Sequence, residues 1–185
     1  NEISIEHQLT DLRNDDKIDL LVKEIRSKFT KIDILINCAG ENHRKPISES
    51  TIEEYDSCMS LNVRAPFILS KEFSQDMVNN RWGRIVNIAS SGAYNGLKKT
   101  IIYRSSKHAL LGFSRALHEE LKHYNIRSFC ISPSSTKSKM GEQTVGQDFS
   151  TFLDPSDVAK YVAFAISFDS NIMTEEIFLK RMIVR

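Results

Sequence analysis

The sequence predicts an α/β fold, a Rossmann-like doubly wound parallel sheet, and three observations carry that reading. Short apolar runs recur at Ile32 to Asn37, Arg84 to Ala89, Ile126 to Ile131 and Ile177 to Val184, near-continuous in the way of strands covered on both faces. Longer segments of helical period lie between them. The resulting strand–helix–strand alternation implies right-handed βαβ units and an open sheet with helices on both sides.

The helices can be justified in order. Ile18, Leu21, Val22, Ile25 and Phe29 form an apolar stripe at spacings of three and four, and Asn14-Asp15-Asp16 supplies the start signal. Tyr55 to Val78 is long enough for a second helix and Tyr103 to Tyr124 for a third. Asp157 to Phe168 gives a fourth, with Pro155 before it and Ser156 as the expected N-cap. No repeat, low-complexity stretch or linker interrupts the pattern, so residues 1–185 are expected to form one domain.

Composition narrows the function classes. The 185 residues are 41% apolar and 26% charged with a net charge of +1, so no strong overall field favours nucleic acid or anionic lipid. No apolar run approaches the ~20 residues that span a bilayer and no signal peptide is visible, so a cytoplasmic location is expected. Cys38, Cys58 and Cys130 lack CxxC spacing. Two of them lie in apolar runs and read as small buried core residues in a reducing compartment. The five histidines show no ligand spacing, so no metal site is expected.

In open α/β sheets, ligands bind beyond the carboxyl ends of the strands. Those ends are Asn37 to Gly40, Ala89 to Gly92 and Ser132 to Thr136, all small or polar; turns favour such residues too, so alone they justify only a suspicion of cofactor binding. Tyr103 and Lys107 stand four apart at the start of a helix, on one face. A phenol titrates near ~10, and lowering that by ~3 takes ~4 kcal/mol of preferential stabilisation of the phenolate. One cation at ~4 Å in an effective dielectric of ~20 supplies about that amount. Ser90, at a strand end, could share a substrate oxygen with the phenol. Asn62 is a polar residue in an amphipathic helix with Pro66 four residues on. That proline removes a backbone donor and clashes with the Asn62 carbonyl, so a local kink is expected, and the freed carbonyl could hold a water bridging to Lys107.

These residues together resemble the short-chain dehydrogenase/reductase family. Asn37-Cys38-Ala39-Gly40 looks like its Asn-Asn-Ala-Gly motif, Gly83 to Ser91 its catalytic-serine strand, Tyr103 to Lys107 its Tyr-x-x-x-Lys, and Ile131-Ser132-Pro133-Ser134 its Pro-Gly motif. Asp11-Leu12 resembles the pair that holds the adenine. The spacings are most similar to the 3-oxoacyl-carrier-protein reductase branch. The resemblance implies an oxidoreductase interconverting a carbonyl and a secondary alcohol with NAD or NADP, the two not being distinguishable here. Tyr103 would be the general acid or base. Lys107 would lower its pKa and bind the nicotinamide ribose, Ser90 would polarise the carbonyl, and Asn62 would organise a water relay. Asn37, Cys38, Ala39 and Gly40 would flank the adenine side, and Pro133, Ser134 and Thr136 the nicotinamide carboxamide. A homodimer or homotetramer, formed through the Tyr55–Val78 and Tyr103–Tyr124 helices, is also implied.

Three departures stand out. Cys38 replaces the second Asn, as a change expected to sit in a small buried slot. Ser134 replaces Gly, a problem if that site needs a positive φ. The family's first βαβα segment with its glycine-rich turn, about 45–50 residues, is expected to precede Asn1. Two other readings stay open: an epimerase or dehydratase-type relative, and a non-catalytic descendant. Lys137 and Lys139, and the loop His43-Arg44-Lys45, either attract an anionic ligand or form solvated faces. Residues 134–156, and Met140 to Phe152 within them, read as a substrate lid.

Overall fold

The four apolar runs become the strands of one parallel sheet, β1 (Ile34–Asn37), β2 (Gly83–Ile88), β3 (Ile126–Pro133) and β4 (Glu176–Leu179), hydrogen-bonded in that order. The structure, a computed structural model, describes residues 4–183; Val184, the end expected for the last strand, lies outside the described residues. That strand is shorter than its apolar run, because Lys180 to Ile183 leave the ladder.

Alternation along the strands divides the core into two layers. Val86, Phe129 and Ile131 face helix α6 (Pro155–Ile166), where Ala165 and the partly buried Val158 and Val162 meet them. Ile85, Ile126 and Cys130 face the other side, against Met77 of α3 (Ala65–Asn80) and Leu110, Leu111 and Leu121 of α4 (Ile101–Leu121). Helix α1 (Asp15–Lys28) closes that side by packing Ile18 and Val22 on Ala65, Leu69 and Phe73. Burying each such aliphatic side chain contributes about 1.5–3 kcal/mol, so both layers are held by transfer out of water.

Several boundaries differ from the sequence expectation, each for a local reason. Asn14 caps α1 as expected, its side chain accepting from Lys17 N at 3.1 Å, but Phe29 falls just past the helix and is exposed. Helix α6 is capped by Asp154, not Ser156: the Asp154 carboxylate accepts from the Ser156 N–H at 2.8 Å and Pro155 occupies the first turn, where its missing donor costs nothing. Strand β1 is not covered on both faces. Ile34 and Ile36 are 40% and 46% exposed, because the α6 layer lies over β2–β4 and none of its packing partners comes from β1.

Candidate active site

Two helical pieces and a turn build the first half of the site. Helix α2 (Ile52–Met59) starts at a reciprocal capping box between Thr51 and Glu54 and runs into a π-helical segment, Ser60–Arg64, before α3. The kink expected from Pro66 therefore takes the form of one widened turn. With no N–H at Pro66 to meet the Asn62 carbonyl, the chain shifts to the longer spacing, and Ala65 N bonds Ser60 O. Asn62, fully buried on that turn, donates from Nδ2 to Glu41 O at 3.0 Å and Ser106 Oγ at 2.9 Å, and accepts at Oδ1 from Glu41 N at 2.9 Å. Its amide thus ties the turn after β1 to α4.

The second half lies at the carboxyl end of β2 and the first turns of α4. Ser90 Oγ accepts from Gly92 N at 3.0 Å, which leaves its own hydrogen free to donate. A Cβ on Gly92 would stand 3.3 Å from Ser90 Oγ, 3.5 Å from Tyr103 Cε1 and 3.4 Å from Arg104 Cγ, so three side chains converge on that glycine. Lys107 Nζ donates to Ile88 O at 2.9 Å and lies 5.9 Å from the centre of the Tyr103 ring. Burial pushes the Lys107 ammonium down to about 8. The Tyr103 phenol departs from its ordinary value in the direction opposite to the one expected from sequence. Burial raises Tyr103 above its ordinary value, and the Ser90 hydroxyl is the leading influence against it. Burial is thus the leading cause, and the Lys107 ammonium points at a backbone carbonyl instead of the phenol oxygen.

Ser90, Tyr103 and Lys107 line one cavity of about 950 Å³, together with Cys38, Gly40, Pro133, Ser134 and Thr136. The wall fits a nicotinamide cofactor on two counts. A Cβ at Gly40 would stand 3.2 Å from Asn62 Oδ1 and 3.4 Å from Lys107 Nζ, so the bare backbone keeps this approach open. Ser134 Oγ is buried without a partner, a polar atom left for a ligand to satisfy. Ser134 is not among the residues at positive φ, so its Cβ meets no backbone strain. Cys38 is exposed to the cavity, not buried in a slot; Cys58 and Cys130 are the buried pair.

Other expected residues stand outside this wall. Asn37 is turned into the sheet, donating to Asn87 Oδ1 at 2.9 Å, and Ala39 is not in the wall. Leu12 packs on the Ile18–Phe73 cluster, and Asp11 pairs with Arg13 at 2.9 Å, which holds its carboxyl down at about 2. The segment after β3 is closed by an isolated parallel bridge between Thr136 and Leu153, outside the sheet, and carries the short helix α5 (Lys139–Glu142). Gly141 there has no room for a side chain: a Cβ would stand 2.3 Å from Thr136 O. Sequence reasoning missed Glu41 and Ser106, which hold Asn62, and the arginines Arg104 and Arg181 of the cavity wall; Arg44, left open between an anion contact and a solvated face, joins them there. The Ser-Ser within Tyr103 to Lys107 was the signal for Ser106. His118, Glu119 and Glu175 bring donor atoms within 4.8 Å of one another away from this cavity, although Glu119 is already paired with Lys122 at 2.6 Å.

The family model for short chain dehydrogenases matches residues 1–148. The chain belongs to that family. Among curated relatives of this dehydrogenase, an NAD-dependent glycerol dehydrogenase of Listeria innocua is 29% identical over 176 residues, covering 90% of this chain and 69% of the relative. Among solved structures, a 4-hydroxyisoleucine dehydrogenase complexed with NADH superposes with a TM-score of 0.84 at 27% identity, covering 92% of this chain and 76% of that one. A metagenomic short-chain oxidoreductase in complex with NADP gives 0.82 at 25% identity, covering 96% and 75%. No helix among the described residues of this short-chain dehydrogenase is long and apolar enough to cross a membrane.

Proposed function

We propose that this chain is an NAD- or NADP-dependent oxidoreductase interconverting a carbonyl and a secondary alcohol, with Tyr103 handling the proton. The observation that carries the proposal is the convergence of Ser90 Oγ and the Tyr103 ring on Gly92, within a cavity that Lys107 also lines. Cys38, Gly40, Lys107, Pro133, Ser134 and Thr136 are the residues that would hold the cofactor there, with Asp11 and Leu12 contributing toward its adenine. When bound, the cofactor supplies or takes up the hydride.

The protein's part is proton management. In reduction the Tyr103 phenol, protonated at neutral pH like any phenol and kept so by burial, gives its proton to the substrate oxygen. Ser90 donates its free hydrogen to the same oxygen and fixes its position. The Lys107 ammonium stabilises the phenolate that remains, and closure around the substrate strengthens that attraction by excluding water. Asn62, through its freed main-chain carbonyl, orders the water that returns a proton to this site. Oxidation runs the same path backwards. We read residues 1–185 as one cofactor-binding domain, with residues 134–156 as the lid.

Replacing Tyr103 by Phe should lower turnover about 1,000-fold with the circular dichroism spectrum unchanged; near-normal turnover would exclude Tyr103 as the proton donor. We also propose a homodimer or homotetramer assembled through α2–α3 and α4, where Tyr55 and Phe67 are exposed. Light scattering that gives a monomer at micromolar concentration would contradict it. The relatives named above act on a neutral polyol in one case and a hydroxy amino acid in another. Substrate class therefore has to come from this chain's own cavity.

A further inference from the structure

The cavity wall carries charge of one sign. Arg44, Arg104, Lys107, Lys137, Lys139 and Arg181 reach it, and no aspartate or glutamate does. Among the described residues none of these six cations stands within 4.0 Å of a carboxylate oxygen, whereas Lys45 is paired with Glu54, Arg84 with Asp169 and Arg26 with Asp76. An overall charge of +1 thus conceals a local concentration of unpaired cations around one concave site, the arrangement that gathers anions.

Two of the six flank the reacting end. Arg104 follows Tyr103 in sequence, and its stem shares the Gly92 turn with Ser90 Oγ and the Tyr103 ring. Neutral partners fix its guanidinium: Nε donates to Thr100 Oγ1 at 2.9 Å and Nη1 to Asn95 O at 2.7 Å, leaving the Nη2 hydrogens free. Arg44, from the turn after β1, is held among the described residues only by a 3.3 Å bond to Thr144 Oγ1. Burial first, and the like charge of nearby Arg44 after it, disfavour the charge on Arg104. That repulsion is relieved when an anion lies between them. Lys137, Lys139 and Arg181, by contrast, belong to the lid and the segment behind it. A second cavity of about 660 Å³ shares Arg104 and Leu97 with the first, adds Lys98 and Lys99, and is likewise free of carboxylates, so the cationic path continues outward from Arg104.

We propose that Arg44 and Arg104 form an anion subsite beside the reacting carbon, so that the substrate is a hydroxy compound, or its oxo counterpart, bearing a carboxylate or phosphate a few bonds from the carbon oxidised. This rests on Tyr103 being the proton-handling group, and the test separates the two claims. The full-length protein is assayed with matched triplets: a short hydroxy acid, the corresponding phosphate ester, and a neutral alcohol of the same carbon skeleton. The anionic members should be preferred in kcat/KM, and the better of the two identifies the anion. Arg44→Gln and Arg104→Gln should each cut that preference about 10- to 100-fold, the range for losing one charge-assisted hydrogen bond, and the Lys variants should restore part of it. Arg44→Gln gives up a single bond to Thr144 and so leaves the Asn95–Thr100 loop intact. A preference for the neutral alcohol, or equal losses on neutral and anionic substrates, would overturn the subsite. If nothing in the panel turns over, calorimetric titration with succinate and with inorganic phosphate decides it. Binding that both Gln variants lose keeps the subsite while the Tyr103 reading fails, and no binding to the unsubstituted protein removes it.

Discussion

Replacing Lys107 by methionine should make the protein more stable at neutral pH while removing its activity. In the folded chain burial moves the Lys107 ammonium from 10.5 down to about 8. Below pH 8 the native and unfolded chains both hold the proton, so folding carries the full cost of burying the charge, about 3 kcal/mol for a displacement of that size. Between pH 8 and 10.5 the unfolded chain binds a proton that the native chain has released, and the stability of the natural protein rises with pH. Above 10.5 the cost has gone. Methionine removes the charge but leaves Ile88 O without the donor now 2.9 Å away, a loss of about 1 kcal/mol. The variant should therefore be about 2 kcal/mol more stable at pH 7 and level or about 1 kcal/mol less stable at pH 10.5. Urea denaturation of both proteins at half-unit steps from pH 7 to 10.5, without added cofactor, reads the difference; subtracting one curve from the other cancels groups common to both. A difference that stays flat across that window, or a variant less stable at pH 7, would refute the assignment of Lys107 as a buried ammonium.

Two further substitutions test the framework around it. Gly141→Ala places a methyl group 2.3 Å from Thr136 O, so the 136–153 segment must shift and urea stability should fall by about 1–3 kcal/mol, with catalysis impaired if that segment is the lid proposed above; unchanged values would show that α5 is not seated as described. Asn62→Leu removes the bonds to Glu41 N, Glu41 O and Ser106 Oγ and should lower stability by about 2–3 kcal/mol, measured from the urea midpoint at constant slope. An unaffected midpoint would mean that this amide does not tie the β1 turn to α4.

Strand number, their parallel direction and the four helical segments follow from apolar periodicity and strand–helix alternation, which is why β2 and β3 fall where Arg84 to Ala89 and Ile126 to Ile131 place them. Periodicity does not report which neighbour lies over a strand. β1 therefore reads as doubly covered although Ile34 and Ile36 face outward, and nothing in the run beginning at Arg84 signals that its guanidinium is fully buried, donating to Asn125 O at 3.1 Å and Phe168 O at 2.9 Å. At the site, Tyr103, Lys107 and Ser90 were legible because their spacing is local or tied to a strand end. Arg104 and Arg181 were not, and Arg44 was legible only as an ambiguous basic loop, because the three come together only through tertiary structure. Nor could the titration of the phenol be read from a four-residue spacing, which gives neither the burial of Tyr103 nor the direction of the Lys107 amine.

The widened turn at Ser60–Arg64 explains how one stretch of chain serves two partners that a regular helix could not both reach. Upstream, Cys58 and Asn62 must meet Ser106 and the Glu41 backbone; downstream, Leu69 and Phe73 must meet Ile18 and Val22. The supernumerary residue is what sets the angular offset between those two obligations. Winding the same residues as uniform α-helix would turn α2 by about 100° against α3, carrying Cys58 and the capping box away from their neighbours. The irregularity is thus a phase adjustment written into the chain, and in this protein a straighter helix would be the damaged one.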